Sequence, residues 1–158
     1  MKIEIKEKTA FQAFGVKWQG TFEQAEKGDV KKVLHQFRKD LFNTPFFERS
    51  QTIYGLSLQN IANGFTYYIC TEVPEKSSLP ANFDVFQFQS HHYAALDYKG
   101  VHVYQAYQTL YDWMKENSYQ PVQNTIDHFD IYPITYEPLT DEPHLTIMIP
   151  IVMEKQRG

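Results

Sequence analysis

The feature that most constrains the fold is an internal similarity between the two halves of the chain. Residues 14–20, FGVKWQG, align with residues 94–100, AALDYKG, so that Trp18 and Tyr98 each precede a glycine by two positions. At the same offset of about 80 residues, the apolar segment 67–73 aligns with a second one that begins at Ile147. The similarity predicts two copies of one supersecondary unit, and each copy alone would leave a face of a small sheet uncovered.

The first half reads as strand, helix, strand, strand. Apolar residues alternate with polar ones between Ile3 and Gln19, and period two is typical of strands. Segments 53–58 and 65–73, separated by turn residues, predict an antiparallel hairpin. Helical spacing between these strands is shown by Val30, Val33, Leu34, Phe37 and Leu41.

The second half repeats this order. Segments 83–89 and 93–98 indicate strand, and segments 129–132 and 145–152 predict two more strands around an acidic loop. One face of a helix is marked by Val103, Ala106, Tyr107, Leu110, Trp113 and Met114.

Together the elements predict a single α+β domain over residues 1–158. Its halves, about 1–73 and 83–153, are joined by a linker at 74–82 that is rich in proline and serine. We expect the duplicated β-α-β-β halves to form one antiparallel sheet with two main helices on one face. The junction between the halves, around a pseudo-twofold axis, would then hold a central cleft.

Composition excludes several classes of protein. Cys70 is the single cysteine, so no internal disulfide can form and a reducing cytoplasm is expected. The longest apolar run, 145–153, is far shorter than the ~20 residues that span a bilayer, and a signal peptide is not expected from the charged first residues. With a net charge of -4 and no basic stripe, direct nucleic-acid binding is not expected.

Aromatic residues make up 16% of the chain, as twelve Phe, eleven Tyr and two Trp. Tyrosine and tryptophan have a polar tip that must be hydrated or hydrogen-bonded, so this many indicate a surface or pocket built from rings. An acidic chain rich in rings favours apolar or cationic ligands.

In order and spacing, these segments resemble the GyrI-like effector-binding domain, found alone and as the ligand-binding part of AraC-type and MerR-type multidrug regulators. The resemblance covers nearly the whole chain. It rests on segments 14–20, 54–56 (YGL), 65–73 (FTYYICTEV), 93–94 (YA), 98–100 (YKG), 110–113 (LYDW), 129–132 (FDIY) and 145–151 (LTIMIPI).

The resemblance implies a central cleft that binds lipophilic, often cationic, small molecules between aromatic walls and an acidic residue. By the match to the Glu-Val that ends the family's third strand, Glu72 is expected to be that acid. Thr71 and the pair His91-His92 depart from the family pattern and bear on the shape of the pocket. No DNA-binding segment precedes the duplicated unit, so the chain is expected to be a stand-alone ligand-binding module.

Several residues are candidates for the binding site. Glu72 lies among apolar strand neighbours, and Trp18 and Tyr98, equivalent in the two halves, could face each other across the cleft. The six histidines show no helical pairing for a metal, and we expect neither a metal nor a cofactor. The candidate ligand-binding residues are Glu72, Trp18, Tyr54, Tyr68, Tyr93, Tyr98, Tyr132 and Phe88.

Three functions remain open. The favoured one is a protein that senses or sequesters a lipophilic cation, with a link to transcription regulation. The second is a hydrolase of reactive electrophilic toxins, in which Glu72 activates water and Tyr93, or Tyr54 or Tyr132, donates a hydrogen bond. The third is an inhibitor that binds a protein partner, as gyrase-directed relatives do. Whether the chain forms a homodimer or works with a partner regulator is left open.

Overall fold

The computed structural model describes residues 2–45, 50–73 and 82–153, which form one antiparallel sheet and three helices. The predicted linker at 74–82 lies outside these residues except for Asn82. The strands are β1 (Ile3–Lys8), β2 (Phe11–Thr21), β3 (Thr52–Ile61), β4 (Gly64–Glu72), β5 (Asp84–Phe88), β6 (His91–Lys99), β7 (His128–Pro133) and β8 (His144–Ile151). The helices are α1 (Phe22–Glu26), α2 (Asp29–Phe42) and α3 (Val103–Glu116).

The sheet has eight strands in the order β1-β6-β8-β7-β3-β4-β2-β5. Two groups of four strands therefore meet where β3 pairs with β7. Both groups have the same internal order, which is what a duplicated sequence would produce. The mixed α+β class and the single antiparallel sheet are confirmed, whereas the repeat boundaries stay a prediction.

The two halves of the chain exchange their first strands. β1 of the first half pairs with β6 of the second half, and β5 of the second half pairs with β2 of the first half. The short connections that follow β1 and β5 touch each other, because the backbone amide of Ala10 donates to Ser90 Oγ at 2.7 Å. Each half of the chain thus completes the sheet of the other half.

Helices α2 and α3 pack on the same face of the sheet, here called the helix face, as the sequence predicts. Their apolar stripes supply Leu34, Phe37 and Leu41 to one cluster and Ala106, Leu110 and Met114 to another. Because strand side chains alternate between faces, every second strand residue meets these stripes. The strand residues buried on this face include Phe14, Ile53, Ile69, Leu96, Ile147 and Ile149.

The opposite face, here called the ring face, carries an aromatic cluster that Ile126 helps to cover. Phe11 of β2 and Phe129 of β7 stack there with ring centroids 5.6 Å apart. Their strands are three positions apart in the sheet, which in a flat sheet would separate them by about 14 Å. The sheet therefore curls toward the ring face.

The short helix α1 was not predicted from the sequence. It is specified by a capping box, in which the Thr21 hydroxyl accepts from the amide of Gln24 and the Gln24 side chain accepts from the amide of Thr21. Among the described residues, no helix has both the length and the apolar character needed to cross a bilayer.

Candidate functional site

A cleft opens on the helix face at the centre of the sheet. Its floor is formed by β3, β4 and β7, and its walls by α3 on one side and by α1 and the start of α2 on the other. The cavity measures about 430 Å³, within the range of small-molecule sites. Its lining is mostly apolar and consists of Phe22, Ala25, Glu26, Val30, Lys31, Ser57, Gln59, Phe65, Tyr67, Val103, Tyr104, Tyr107, His128, Asp130 and Tyr132.

Asp130 is the acidic residue at the floor of this cleft, and it is 6% exposed. The hydroxyl of Tyr67 donates to Asp130 Oδ2 at 2.6 Å, and the hydroxyl of Tyr107 donates to Oδ1. Tyr132 joins the network because its hydroxyl lies 2.9 Å from that of Tyr67. Rings from three elements, β4, α3 and β7, thus surround one carboxylate.

Burial raises the pKa of Asp130 to about 6, although the hydrogen bonds from Tyr107 and Tyr67 partly oppose the rise. Burial and the nearby carboxylate also raise the pKa values of Tyr67 and Tyr107 well above the usual range, so both hydroxyls stay protonated. Within the described chain, no Lys, Arg or His nitrogen lies within 4.0 Å of the Asp130 carboxylate. At neutral pH the floor therefore carries a negative charge that lacks an ion-pair partner there.

His128 lies on the same strand face as Asp130 but adds no positive charge at neutral pH. Burial lowers its pKa to about 4. Its ring stacks on Tyr107 with centroids 4.2 Å apart, and its Nε2 lies 2.8 Å from the hydroxyl of Tyr111. His128 thus holds the Tyr107 ring in place while remaining neutral.

The mouth of the cleft is lined by exposed rings. Phe22 of α1 is 46% exposed and stacks on Phe65, and Tyr104 of α3 is 78% exposed. Exposed large apolar side chains on both walls offer contact area to a ligand that extends out of the cavity. An apolar cleft with one charged group at its floor suits a ligand that is mainly apolar.

The sequence matches the family described as GyrI-like small molecule binding domain over residues 1–152. The chain belongs to this family. The resemblance identified from the sequence is thereby confirmed, and the chain is a small-molecule binding domain. None of the curated proteins compared with it matches in sequence.

Solved structures share the fold of this GyrI-like domain. SAV2435 bound to tetraphenylphosphonium has a TM-score of 0.72 at 15% identity, with 100% of this chain and 98% of that chain covered. The C-terminal domain of EcmrR has a TM-score of 0.64 at 14% identity, with 96% and 97% covered. A hydrolase from Listeria innocua has a TM-score of 0.64 at 9% identity, with 96% and 92% covered. At these identities the likeness concerns the fold alone.

Of the eight predicted binding residues, Tyr132 lines the helix-face cleft of this GyrI-like domain. Trp18 and Tyr98 also lie on the helix face, but β2 is seventh and β6 second in the strand order, and their rings form no pair. Trp18 packs on Phe65, and the Tyr98 hydroxyl accepts from the amide of His102 at the start of α3.

The other five predicted residues occupy strand positions whose side chains are on the ring face: Glu72, Tyr54, Tyr68, Tyr93 and Phe88. Glu72 is about half exposed, and its Oε1 accepts from Lys8 Nζ at 2.7 Å and from the Tyr54 hydroxyl at 3.0 Å. Glu72 is therefore already paired with a cation of the chain itself. Its predicted role as the counter-charge for a ligand stays a prediction.

Sequence reasoning missed Asp130, Tyr67 and Tyr107. Asp130 stands in the segment FDIY, where alternation alone predicts an acid on the solvent face of a half-buried strand. Tyr107 was assigned only to the apolar stripe of its helix. In the described residues, no three His, Cys, Asp or Glu side chains are grouped to hold a metal.

The Tyr93 hydroxyl on the ring face lies buried without a hydrogen-bond partner among the described residues, and burial raises its pKa to about 12. An unpaired buried hydroxyl costs about 1–3 kcal/mol, so we expect Tyr93→Phe to leave the free energy of unfolding unchanged or to raise it by about 1 kcal/mol. Urea unfolding of both proteins measures this. A loss above about 1 kcal/mol would mean that the hydroxyl has a partner, such as a bound water.

Proposed function

We propose that this GyrI-like domain binds lipophilic organic cations in the helix-face cleft, with Asp130 as the counter-charge. The observation that carries the proposal is the buried Asp130 carboxylate, which has two tyrosine donors and no ion-pair partner in the described chain. A buried charge without a partner is costly, and a cationic ligand would relieve that cost.

The walls of the cleft support the same ligand class. Tyr67, Tyr107 and Tyr132 present rings around the carboxylate, and a cation over a ring face gains about 0.5–2 kcal/mol. Phe22 and Tyr104 extend the apolar lining to the mouth. Such a site makes few directional demands on the apolar part of the ligand, so it would accept cations of several shapes.

A comparison of two ligands of opposite charge tests the proposed role of the Asp130 carboxylate directly. Tetraphenylphosphonium and tetraphenylborate present four phenyl rings at nearly equal size but carry opposite charges. We expect isothermal titration calorimetry to show binding of the phosphonium at least about 100-fold tighter than that of the borate, which corresponds to about 2.7 kcal/mol. Equal affinities would mean that apolar area alone governs binding, and the proposed role of Asp130 would be wrong.

We favour binding over the hydrolase alternative, in which Glu72 is the base and Tyr93, Tyr54 or Tyr132 is the donor. Of these three tyrosines, Tyr54 donates to Glu72 Oε1 at 3.0 Å, and the same oxygen also accepts from Lys8 Nζ at 2.7 Å. A general base needs to reach the proton that it abstracts, and this carboxylate oxygen is already occupied by two donors. In the cell, we propose that the domain senses or sequesters the cation, with a link to transcription regulation through a partner.

A further inference from the structure

The ammonium group of Lys8 occupies a site on the ring face that resembles a ligand site. Lys8 Nζ lies 2.7 Å from Glu72 Oε1, 4.5 Å from the centroid of the Phe11 ring and 5.7 Å from that of the Tyr54 ring. A cation between a carboxylate and two ring faces is the arrangement by which proteins bind organic ammonium ions. Phe11, Tyr54 and Glu72 are here called the ammonium cage.

The cage is held in shape by contacts that do not involve Lys8. Phe11 is 9% and Tyr54 8% exposed, and their rings meet edge to face with centroids 5.5 Å apart. Tyr54 also packs edge to face on the fully buried Phe129 at 4.8 Å. Because the Tyr54 hydroxyl donates to Glu72 Oε1, the carboxylate is oriented from within the cage. The cage is therefore preorganised.

The Lys8 ammonium, in contrast, is held only by the ion pair and the two ring contacts. Lys8 is the last residue of β1, the first strand in the sheet order, and its side chain is 25% exposed while that of Glu72 is 45% exposed. Because the carboxylate is nearly half exposed, screening and the entropy of the long lysine side chain offset part of the attraction. The Lys8 ammonium can thus leave the cage while the cage itself persists.

We propose that the ammonium cage is a second binding site, specific for short-chain primary ammonium groups, which the chain's own Lys8 occupies and an external ligand enters when Lys8 withdraws. The distance of 2.7 Å between Nζ and Glu72 Oε1 is that of an N–H···O hydrogen bond. A quaternary ammonium has no N–H group and cannot form this bond. The cage therefore differs in ligand chemistry from the Asp130 cleft, and its occupation is independent of the proposed function.

Removal of Lys8 tests the proposal by chemical rescue. Lys8→Ala deletes the side chain beyond Cβ, and n-propylammonium supplies the same atoms. We expect n-propylammonium to bind Lys8→Ala at least about tenfold more tightly than wild type. At about ten times its dissociation constant it should raise the melting midpoint of Lys8→Ala by about 3–6 °C over equal sodium chloride. The ring resonances of Phe11 and Tyr54 should shift during an NMR titration.

Matched controls give each outcome a meaning. Lys8→Met fills the cage with an uncharged side chain of similar length, and Lys8→Ala/Glu72→Gln removes the carboxylate; neither should respond. Neutral n-propanol and N,N,N-trimethylpropylammonium should bind Lys8→Ala at least about tenfold more weakly than n-propylammonium. Equal responses of Lys8→Ala and Lys8→Ala/Glu72→Gln, or of n-propylammonium and n-propanol, would overturn the proposal. Asp130→Asn in the Lys8→Ala background should leave the response unchanged, whatever the outcome for tetraphenylphosphonium.

Discussion

Asp130→Asn is expected to weaken tetraphenylphosphonium binding at least about 30-fold while the fold is retained. The asparagine side chain has the size of aspartate and can still hydrogen-bond Tyr67 and Tyr107, but it carries no charge. Loss of one partner from a buried charged pair costs about 2–5 kcal/mol, and 2 kcal/mol corresponds to about 30-fold. Isothermal titration calorimetry at pH 7.5 measures the change, with circular dichroism as the check on folding.

Glu72→Gln is the matched control for this variant. It makes the same chemical change at the acid that the sequence favoured, on the opposite face of the sheet. We expect its affinity for tetraphenylphosphonium to stay within about twofold of wild type, because Glu72 already pairs with Lys8. The reverse pattern, with Glu72→Gln impaired and Asp130→Asn normal, would move the cation site to the ring face and support the sequence-based prediction.

The elements of the fold could be predicted because their signals are local. Alternation along 3–19 and helical spacing in α2 and α3 depend on neighbours within a few residues, and the helices occur where the spacing indicates. The exchange of β1 and β5 could not be predicted in this way. Which edge a short strand joins depends on contacts across the whole sheet, and the sequence pattern of β1 suits either edge.

The candidate site was harder to predict because alternation does not reveal which face the helices cover. Tyr67 and Tyr68 are neighbours in β4, yet Tyr67 points into the helix-face cleft and Tyr68 packs against the ring-face cluster. Tyr68 was the residue predicted to line the site, and a shift of one residue moves a side chain to the other face. The same ambiguity affects Tyr54 and Tyr93, which lie on the ring face.

Asp130 illustrates a second reason. Its importance comes from two tyrosines that are distant in sequence, Tyr67 on β4 and Tyr107 on α3, and from the burial that the packed helices impose. None of these contacts is visible in the segment FDIY alone. Glu72 was predicted from the match to the family's Glu-Val and from its apolar strand neighbours, whereas in the structure its carboxylate is nearly half exposed and paired with Lys8.

The titration of Asp130 gives the second large effect, an expected loss of stability as the pH rises. The folded-state pKa of Asp130, about 6, lies above the ordinary value of 3.8, so ionisation opposes folding. The resulting penalty begins near pH 4, grows as the pH passes through about 6 and is complete above it, where it reaches roughly 3 kcal/mol. Asp130→Asn lacks this penalty, so its stability relative to wild type should increase with pH.

The tyrosines and the histidine that face Asp130 do not titrate between pH 5 and 8, the range of this measurement. Tyr67, Tyr107 and Tyr132 have pKa values well above the usual range, so they stay neutral, and His128 titrates near pH 4. Between pH 5 and 8, the free-energy advantage of Asp130→Asn in urea unfolding should therefore grow by more than about 1 kcal/mol. A constant difference across this range would mean that Asp130 ionises with an ordinary pKa, and the cleft floor would then be well hydrated.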